Sequence, residues 1–276
     1  MGLTIYNNVS AMNAHRVLSG TQGDMSKAME RLSSGLRINR AADDAAGLAV
    51  SETMRSQVRG QNVASRNALD GVSLVQVADG ALGNVGDMLQ RVRDLAVQAS
   101  NGTLTDAQRA NLDAEVQQVL TEINTVGTNT DFNGIKILSG SASTAASAVT
   151  LQVGSNAGQS IAFTIGTVST QQLGVSGIAV STAASASAAI ASIDAAISTV
   201  TTNRANLGAI QNRLEQTINR LGLMAENLQA AESRIRDADM AKEMITFTKN
   251  QILQQSGMSM LSQANQAPQS VLSLLR

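Results

Sequence analysis

Few side chains in this sequence could do chemistry. His15 is the only histidine and cysteine is absent, so disulfides, thiolate nucleophiles and His/Cys zinc sites are all ruled out. Asp43 and Asp44 are adjacent carboxylates that could attract a hard cation. No further oxygen ligands follow at loop spacing, so the pair reads instead as a helix start. Gly80, Gly83 and Gly86 lie three apart in a helical pattern and follow no strand, which is not a dinucleotide fingerprint; they read as small residues of a packing seam. Between Lys136 and Asp194 the sequence holds no charged residue, so no general acid or base is available there. Asn8-Val9-Ser10 and Asn101-Gly102-Thr103 match the weak glycosylation sequon. The methionines around Met25 and Met29, and around Met258 and Met260, sit at helical spacing and read as packing or interface residues. No catalytic, cofactor-binding or metal-binding residues are predicted.

The elements that carry these residues are long helices. From Ile190 the positions Ile190, Ile193, Ile197, Val200, Arg204, Leu207, Gln211, Leu214, Ile218, Leu221, Ala225, Leu228, Glu232 and Ile235 alternate threes and fours without a slip. Eleven of the fourteen are apolar. A repeat of about 3.5 residues held this long predicts a coiled-coil rod of about 70 Å rather than an ordinary amphipathic helix. Arg204, Gln211 and Glu232 are its polar seam positions and should set register. A second seam runs through Ala64, Ala68, Gly71, Val75, Ala78, Leu82, Val85, Leu89, Val92, Ala96 and Ala99. A third runs through Leu112, Val116, Val119, Ile123 and Val126. Asn101-Gly102-Thr103 separates the last two, and Thr105 or Asp106 starts the third helix.

Composition agrees with thin helical layers. Trp is absent, Tyr occurs once and Phe three times, and the one proline is Pro268, so Ala, Val, Leu, Ile and Met must fill the core. The net charge of -1 and the lack of a Lys/Arg run give no attraction to nucleic acid. The N-terminal residues do not read as a signal peptide, and no apolar stretch reads as a membrane span.

Taken in order, residues 1–44 and 236–276 form one region of terminal helices. In the first, Ile5, Val9 and Met12 share a face, followed by Met25, Ala28, Met29, Leu32 and Leu36. In the second, Met244, Phe247, Gln251, Gln254, Met258 and Leu261 do. Gly35 can stop a helix and Asp43 or Asp44 can cap the next. From Asn250 to Leu275 no residue is charged, so this segment can enter an assembly without desolvating ions. Both ends are expected to order only when many subunits pack together. Residues 45–138 and 186–235 form the helical bundle. Residues 139–185 hold a hairpin, Val149 to Val153 against Ile161 to Ile165, within a low-complexity exposed loop. The predicted fold is mainly α: a long antiparallel bundle or coiled coil with a small β-hairpin, plus paired terminal helices as a second layer.

Several ordered stretches resemble bacterial flagellin. They are Leu32 to Asn39, Ala42 to Ala49, Gln90 to Gln98, Asp131-Phe132-Asn133-Gly134, Ser233 to Met240, Asn250 to Gln255 and Ser270 to Arg276. The resemblance spans about residues 1–140 and 186–276. It implies a short flagellin without large outer domains: a structural subunit, not an enzyme, that polymerises into a hollow motility filament after unfolded export through the flagellar type III apparatus. The implied alternatives are a hook–filament junction protein and a periplasmic flagellar core subunit. Implied partners are further copies of the chain, the filament cap and hook-junction proteins, and an export chaperone on the C-terminal segment. Toll-like receptor 5 is a further implied partner, with Arg91, Leu95 and Glu115 matching positions the family presents to it. The implied location is the extracellular filament, or the periplasm if the source is a spirochete. Ile5, Val9, Met12, Met244, Phe247, Met258 and Leu261 are the expected assembly residues. Nucleic-acid binding and membrane insertion are not expected.

Overall fold

The computed structural model describes residues 7–140 and 148–274, with side chains to residue 266. The elements are α1 (Val9–Ser34), α2 (Ala45–Ala99), α3 (Asp106–Asn129), β1 (Asp131–Phe132), β2 (Ile135–Lys136), β3 (Val149–Gln152), β4 (Ser160–Phe163), α4 (Ala183–Arg236) and α5 (Met240–Leu274). They divide into two units: residues 57–226, and residues 1–56 with 227–276.

In the unit of residues 57–226, α2 and α4 pack antiparallel. Gly71 faces Leu214, Asp79 faces Arg204 and Arg93 faces Asp194, in opposite chain order. All eleven α2 seam positions are buried. On α4, Ile193, Val200, Leu207, Leu214 and Leu221 are buried and Gln211 is half-buried. Arg204 departs from its expected seam role. It is exposed, and its Nε donates to Asp79 at 2.8 Å across the rim of the helix pair. A guanidinium inside this apolar layer would lose its hydration, whereas its long stem reaches solvent and a carboxylate.

Thr105 caps α3 in a reciprocal capping box with Gln108. Val116, Leu120 and Ile123 are buried, with Leu112, Val119 and Val126 packed beside them. The turn before α3 is tied by Arg109, which donates to the carbonyls of Ala99 and Asn101, both at 2.9 Å, and to Asp106 at 3.0 Å. The last carbonyls of α2 have no partners within the helix, so this buried side chain closes the helix end.

Asn133 and Gly134, both at positive φ, turn β1 into β2 as Asn-Gly predicts. β3 and β4 pair antiparallel with Val149 opposite Phe163 and Gln152 opposite Ser160. The segment after β4 differs from the exposed loop expected. Val168, Leu173, Val175 and Val180 are buried. Asn124 accepts from the Thr170 N–H at 2.9 Å, Asp113 accepts from that of Val180 at 2.6 Å, and Gln117 donates to the Ile178 carbonyl at 2.7 Å. Polar side chains of α3 thus satisfy an irregular backbone that carries valines into the core. α4 also holds an 18-residue window of mean hydropathy 1.4. Among the described residues one helix is therefore long and apolar enough to cross a bilayer, whereas no such span is expected from the sequence. Its Ile193, Ala196 and Val200 are buried in the bundle core.

In the other unit, α1 and α5 lie antiparallel. Asn8 donates to the Ala264 carbonyl at 2.7 Å, Leu18 meets Gly257 and Arg31 pairs with Glu243 at 3.1 Å. Asn8 also caps α1, accepting from the Ala11 N–H, and Gly35 at φ 72° ends it. A short bridge of Leu36 with Asp237 follows: the Arg37 N–H donates to the Arg236 carbonyl at 2.7 Å and the Ala238 N–H to the Gly35 carbonyl at 2.9 Å. Asp44 caps α2, accepting from the Gly47 N–H at 2.9 Å. Within the described residues, α1 and α5 are helical and pair with each other in the single chain. Each supplies the partner surface that a lone helix lacks.

Candidate assembly and recognition surfaces

The α1·α5 pair is held by a seam in which small and polar residues alternate with Leu18, Met25, Leu32, Phe247 and Leu261. On α1 the inward positions are Ala11, Ala14, Leu18, Thr21, Met25, Ala28 and Leu32; on α5 they are Phe247, Asn250, Gln254, Gly257, Leu261 and Ala264. Both runs alternate threes and fours, the spacing of a coiled-coil stripe. Small residues let the backbones approach: a Cβ on Gly257 would sit 3.3 Å from Leu18.

Several large apolar side chains nevertheless face outward. Val9 and Met12 on α1 are 60% and 68% exposed, and Ile245, Ile252 and Met260 on α5 are 70%, 58% and 67% exposed. Met244 and Met258 are exposed, while Phe247 and Leu261 are half-buried in the seam. Ile5 lies outside the described residues. The α5 residues read as one face are thus split: Phe247, Gln254 and Leu261 turn toward α1, and Met244, Gln251 and Met258 turn away. Likewise Met29 is exposed while Met25, Ala28 and Leu32 pack. A helix with apolar residues on two sides offers two stripes at the same spacing, and the partner covers one of them. Along α5, Met244, Ile245, Ile252 and Leu253 line a shallow groove with Thr248 and Lys249. Contiguous apolar surface of this kind marks a protein contact.

Next to this surface, the connector before α2 is organised by carboxylates. Asp43 accepts from the N–H groups of Arg40 at 3.0 Å and Asn39 at 3.2 Å. These bonds, that to Arg40 first, hold its pKa below the usual carboxylate value of 3.8. Asp43 and Asp44 are thus turn and cap residues. No group of three or more His, Cys, Asp or Glu side chains that could hold a metal occurs among the described residues.

Within residues 57–226, Arg91 and Glu115 form an exposed pair, with Nε at 3.0 Å and Nη2 at 2.6 Å from one carboxylate oxygen. Leu95, one turn on from Arg91, is only 1% exposed and packs in the core. A protein that touches this face meets the ion pair, with Leu95 supporting it from beneath. Gly80, Gly83 and Gly86 lie off the α2 seam, and no atom comes within 4 Å of a Cβ built on Gly80 or Gly86. The small-seam reading fails there because Ala78, Leu82 and Val85 hold the inward positions. His15 is exposed. Arg109 was not picked out in the sequence; an arginine four residues past a helix-capping threonine carries no distinctive signal.

Residues 5–143 match the family described as bacterial flagellin N-terminal helical region, and residues 190–275 match bacterial flagellin C-terminal helical region. The chain is 50% identical to a flagellin of Halalkalibacterium halodurans, over 99% of this chain and 100% of that protein. It is 48% identical to the flagellar filament 33 kDa core protein of Treponema phagedenis, again over 99% and 100%. The crystal structure of Bacillus cereus flagellin superposes with a TM-score of 0.50 at 32% identity, covering 60% of this chain and 94% of that one.

Proposed function

Because this chain belongs to the bacterial flagellin family, we propose that it is the structural subunit of a flagellar filament, a homopolymer whose role is mechanical rather than enzymatic. The observation that carries the proposal is the outward apolar surface of the α1·α5 pair, with Val9, Met12, Met244, Ile245, Ile252, Met258 and Met260 exposed. At about 1.5–3 kcal/mol for fully burying an exposed side chain, and with these already partly covered, burying this surface in a polymer contributes on the order of 6–13 kcal/mol. Association costs about 4–15 kcal/mol. The two are comparable, so polymerisation depends on most of the surface being present.

In this reading the α1·α5 pair forms an inner layer and the bundle the layer around it. The proposed boundaries are residues 1–44 with 236–276, and 45–138 with 186–235; the segment 139–185 stands where larger family members insert outer domains. The uncharged residues after Asn250 enter the inner layer without ion desolvation. Ile5, Val9, Met12, Met244, Phe247, Met258 and Leu261 serve as assembly residues. Outside the polymer, the same apolar face of α5 suits an export chaperone, which would keep it covered before assembly. The ends of the polymer meet cap and hook-junction proteins. Arg91 and Glu115, above Leu95, are the residues offered to Toll-like receptor 5.

The filament is read as extracellular. Similarity to the Treponema phagedenis core protein, at 48% identity, favours a periplasmic flagellum as the second reading. Immunogold labelling of intact against permeabilised source cells separates the two. The subunit proposal itself is tested by seeded assembly and electron microscopy of the chain lacking residues 250–276. A helical but non-polymerising protein is expected, and filaments of the truncated chain would refute the role given to α5.

A further inference from the structure

We infer that the cleft enclosed by α2, the β3–β4 hairpin and α4 receives an acidic peptide segment from a second copy of this chain. Arg213 and Arg220 take its carboxylate, and Gln61 takes a backbone amide. The inference rests on the filament reading and names one contact within it.

The cleft is a cavity of about 280 Å³, within the unit of residues 57–226. Arg213, Thr217 and Arg220 reach it from successive turns of one face of α4, Gln61 from α2, and Gln159 and Ile161 from the hairpin. Its lining holds two guanidinium groups and no carboxylate. Neither guanidinium has a carboxylate within 4.0 Å among the described residues, whereas Arg91, Arg93 and Arg204 of the same unit each have one. Arg59 and Arg66 of the same unit also lack such a partner among the described residues, but Arg213 and Arg220 line one cleft together, where a carboxylate from outside would meet both.

Gln61 supplies the second observation. It is only 5% exposed. Its Nε2 donates to Ser155 Oγ at 3.4 Å, and its Oε1 is buried with no partner. Turning the amide over exchanges the two ends and still leaves one unpaired. A buried amide in this state gains from a visitor that completes it. A fully ionised inorganic anion such as sulfate offers acceptors only. A peptide segment offers a backbone N–H and C=O for either orientation of Gln61, together with a side-chain carboxylate for the arginines. Ile161 and the neighbouring Leu221 give the apolar wall that the stem of such a side chain needs.

The chain carries the complement. Asp87, Asp94, Glu122 and Asp131 are exposed, and none is in an ion pair within 4.0 Å among the described residues. In a homopolymer every cleft faces other copies that bear these carboxylates, at an effective concentration no free peptide reaches.

The test uses the full chain. A photo-crosslinking amino acid replaces Met224 at the cleft rim, filaments are grown from seeds, and cross-linked peptides are identified by mass spectrometry. A link to a second copy at a peptide containing Asp87, Asp94, Glu122 or Asp131 is expected. Links only to other peptides, or none between copies, overturn the inference. In parallel, R213E/R220E should keep the monomer's thermal unfolding and raise the critical concentration for assembly roughly tenfold or more. R213K/R220K, which keeps the charge, should stay within about threefold. If wild type forms filaments and R213E/R220E assembles at the same concentration, this contact is wrong and the filament reading stands. If wild type forms none, the filament reading fails with it.

Discussion

Gly127→Ala should destabilise the protein, although the same change at open helical positions such as Gly208 and Gly222 should stabilise it. In an exposed helix interior, alanine is favoured over glycine by about 0.5–1 kcal/mol because glycine loses more backbone freedom on folding. At Gly127 that gain meets an obstacle. A Cβ there would lie 1.9 Å from the carbonyl oxygen of Val168 and 3.1 Å from its carbon. The obstacle is backbone, not the flexible end of a side chain, and it is held. The Val168 N–H donates to the Leu138 carbonyl at 2.9 Å, and the Thr170 N–H donates to Asn124 at 2.9 Å. Clearing the overlap moves this segment by about an ångström, at an overpacking cost of about 1–3 kcal/mol. It also strains two hydrogen bonds worth about 0.5–1.5 kcal/mol each. After the propensity gain is subtracted, about 1–5 kcal/mol of destabilisation remains. Urea unfolding of the monomer, followed by far-ultraviolet circular dichroism, measures it. Gly71→Ala provides a graded comparison, because its obstacle at 2.2 Å is Leu151 Cδ1, a side-chain tip that can rotate; it should fall near neutral. Gly208→Ala and Gly222→Ala, with nothing within 4 Å, should gain stability. A Gly127→Ala protein as stable as wild type would refute the packing assigned to the segment after β4.

Two further outcomes follow from side chains that close backbone ends. Arg109→Leu leaves the carbonyls of Ala99 and Asn101 without their donors and should cost about 2–4 kcal/mol in the same urea assay; a loss below half a kcal/mol would mean water replaces the guanidinium (about the size of an ordinary surface change). Asp43 is held below its usual 3.8 by the N–H groups of Arg40 and Asn39, so its folded pKa is depressed. Its contribution to the connector is therefore present above the unfolded pKa and disappears as pH falls through the folded value. A carboxyl NMR titration should place the Asp43 midpoint below 3.8, and a midpoint at or above it would remove the turn from the account.

The readable parts of the sequence were those where one helix face was distinctly more apolar than the others. The α2 seam from Ala64 to Ala99 is such a case, and every predicted member is buried. Local turn chemistry was equally plain at Gly35, Thr105 and Asn133-Gly134, where backbone geometry selects the residue. The face of α1 and α5 was not readable, because Val9 and Met12 compete with Ala11 and Ala14 at one spacing and only the partner decides. The buried segment around Val168 was hidden by its serines, glycines and threonines. Its valines have no periodicity, and the bonds that hold it come from Asp113, Gln117 and Asn124 on α3. Arg204 was misplaced because spacing alone does not show whether a long cationic side chain stays in a seam or reaches past it to Asp79.

The central claim is that the outward face of the α1·α5 pair is buried between copies. Oxidative footprinting of methionines in monomer and in filament tests it most directly. Met12, Met244, Met258 and Met260 are all at least half exposed in the single chain and should oxidise readily as monomer. On assembly they should become protected together. Filaments in which these four oxidise at the monomer rate would contradict the account.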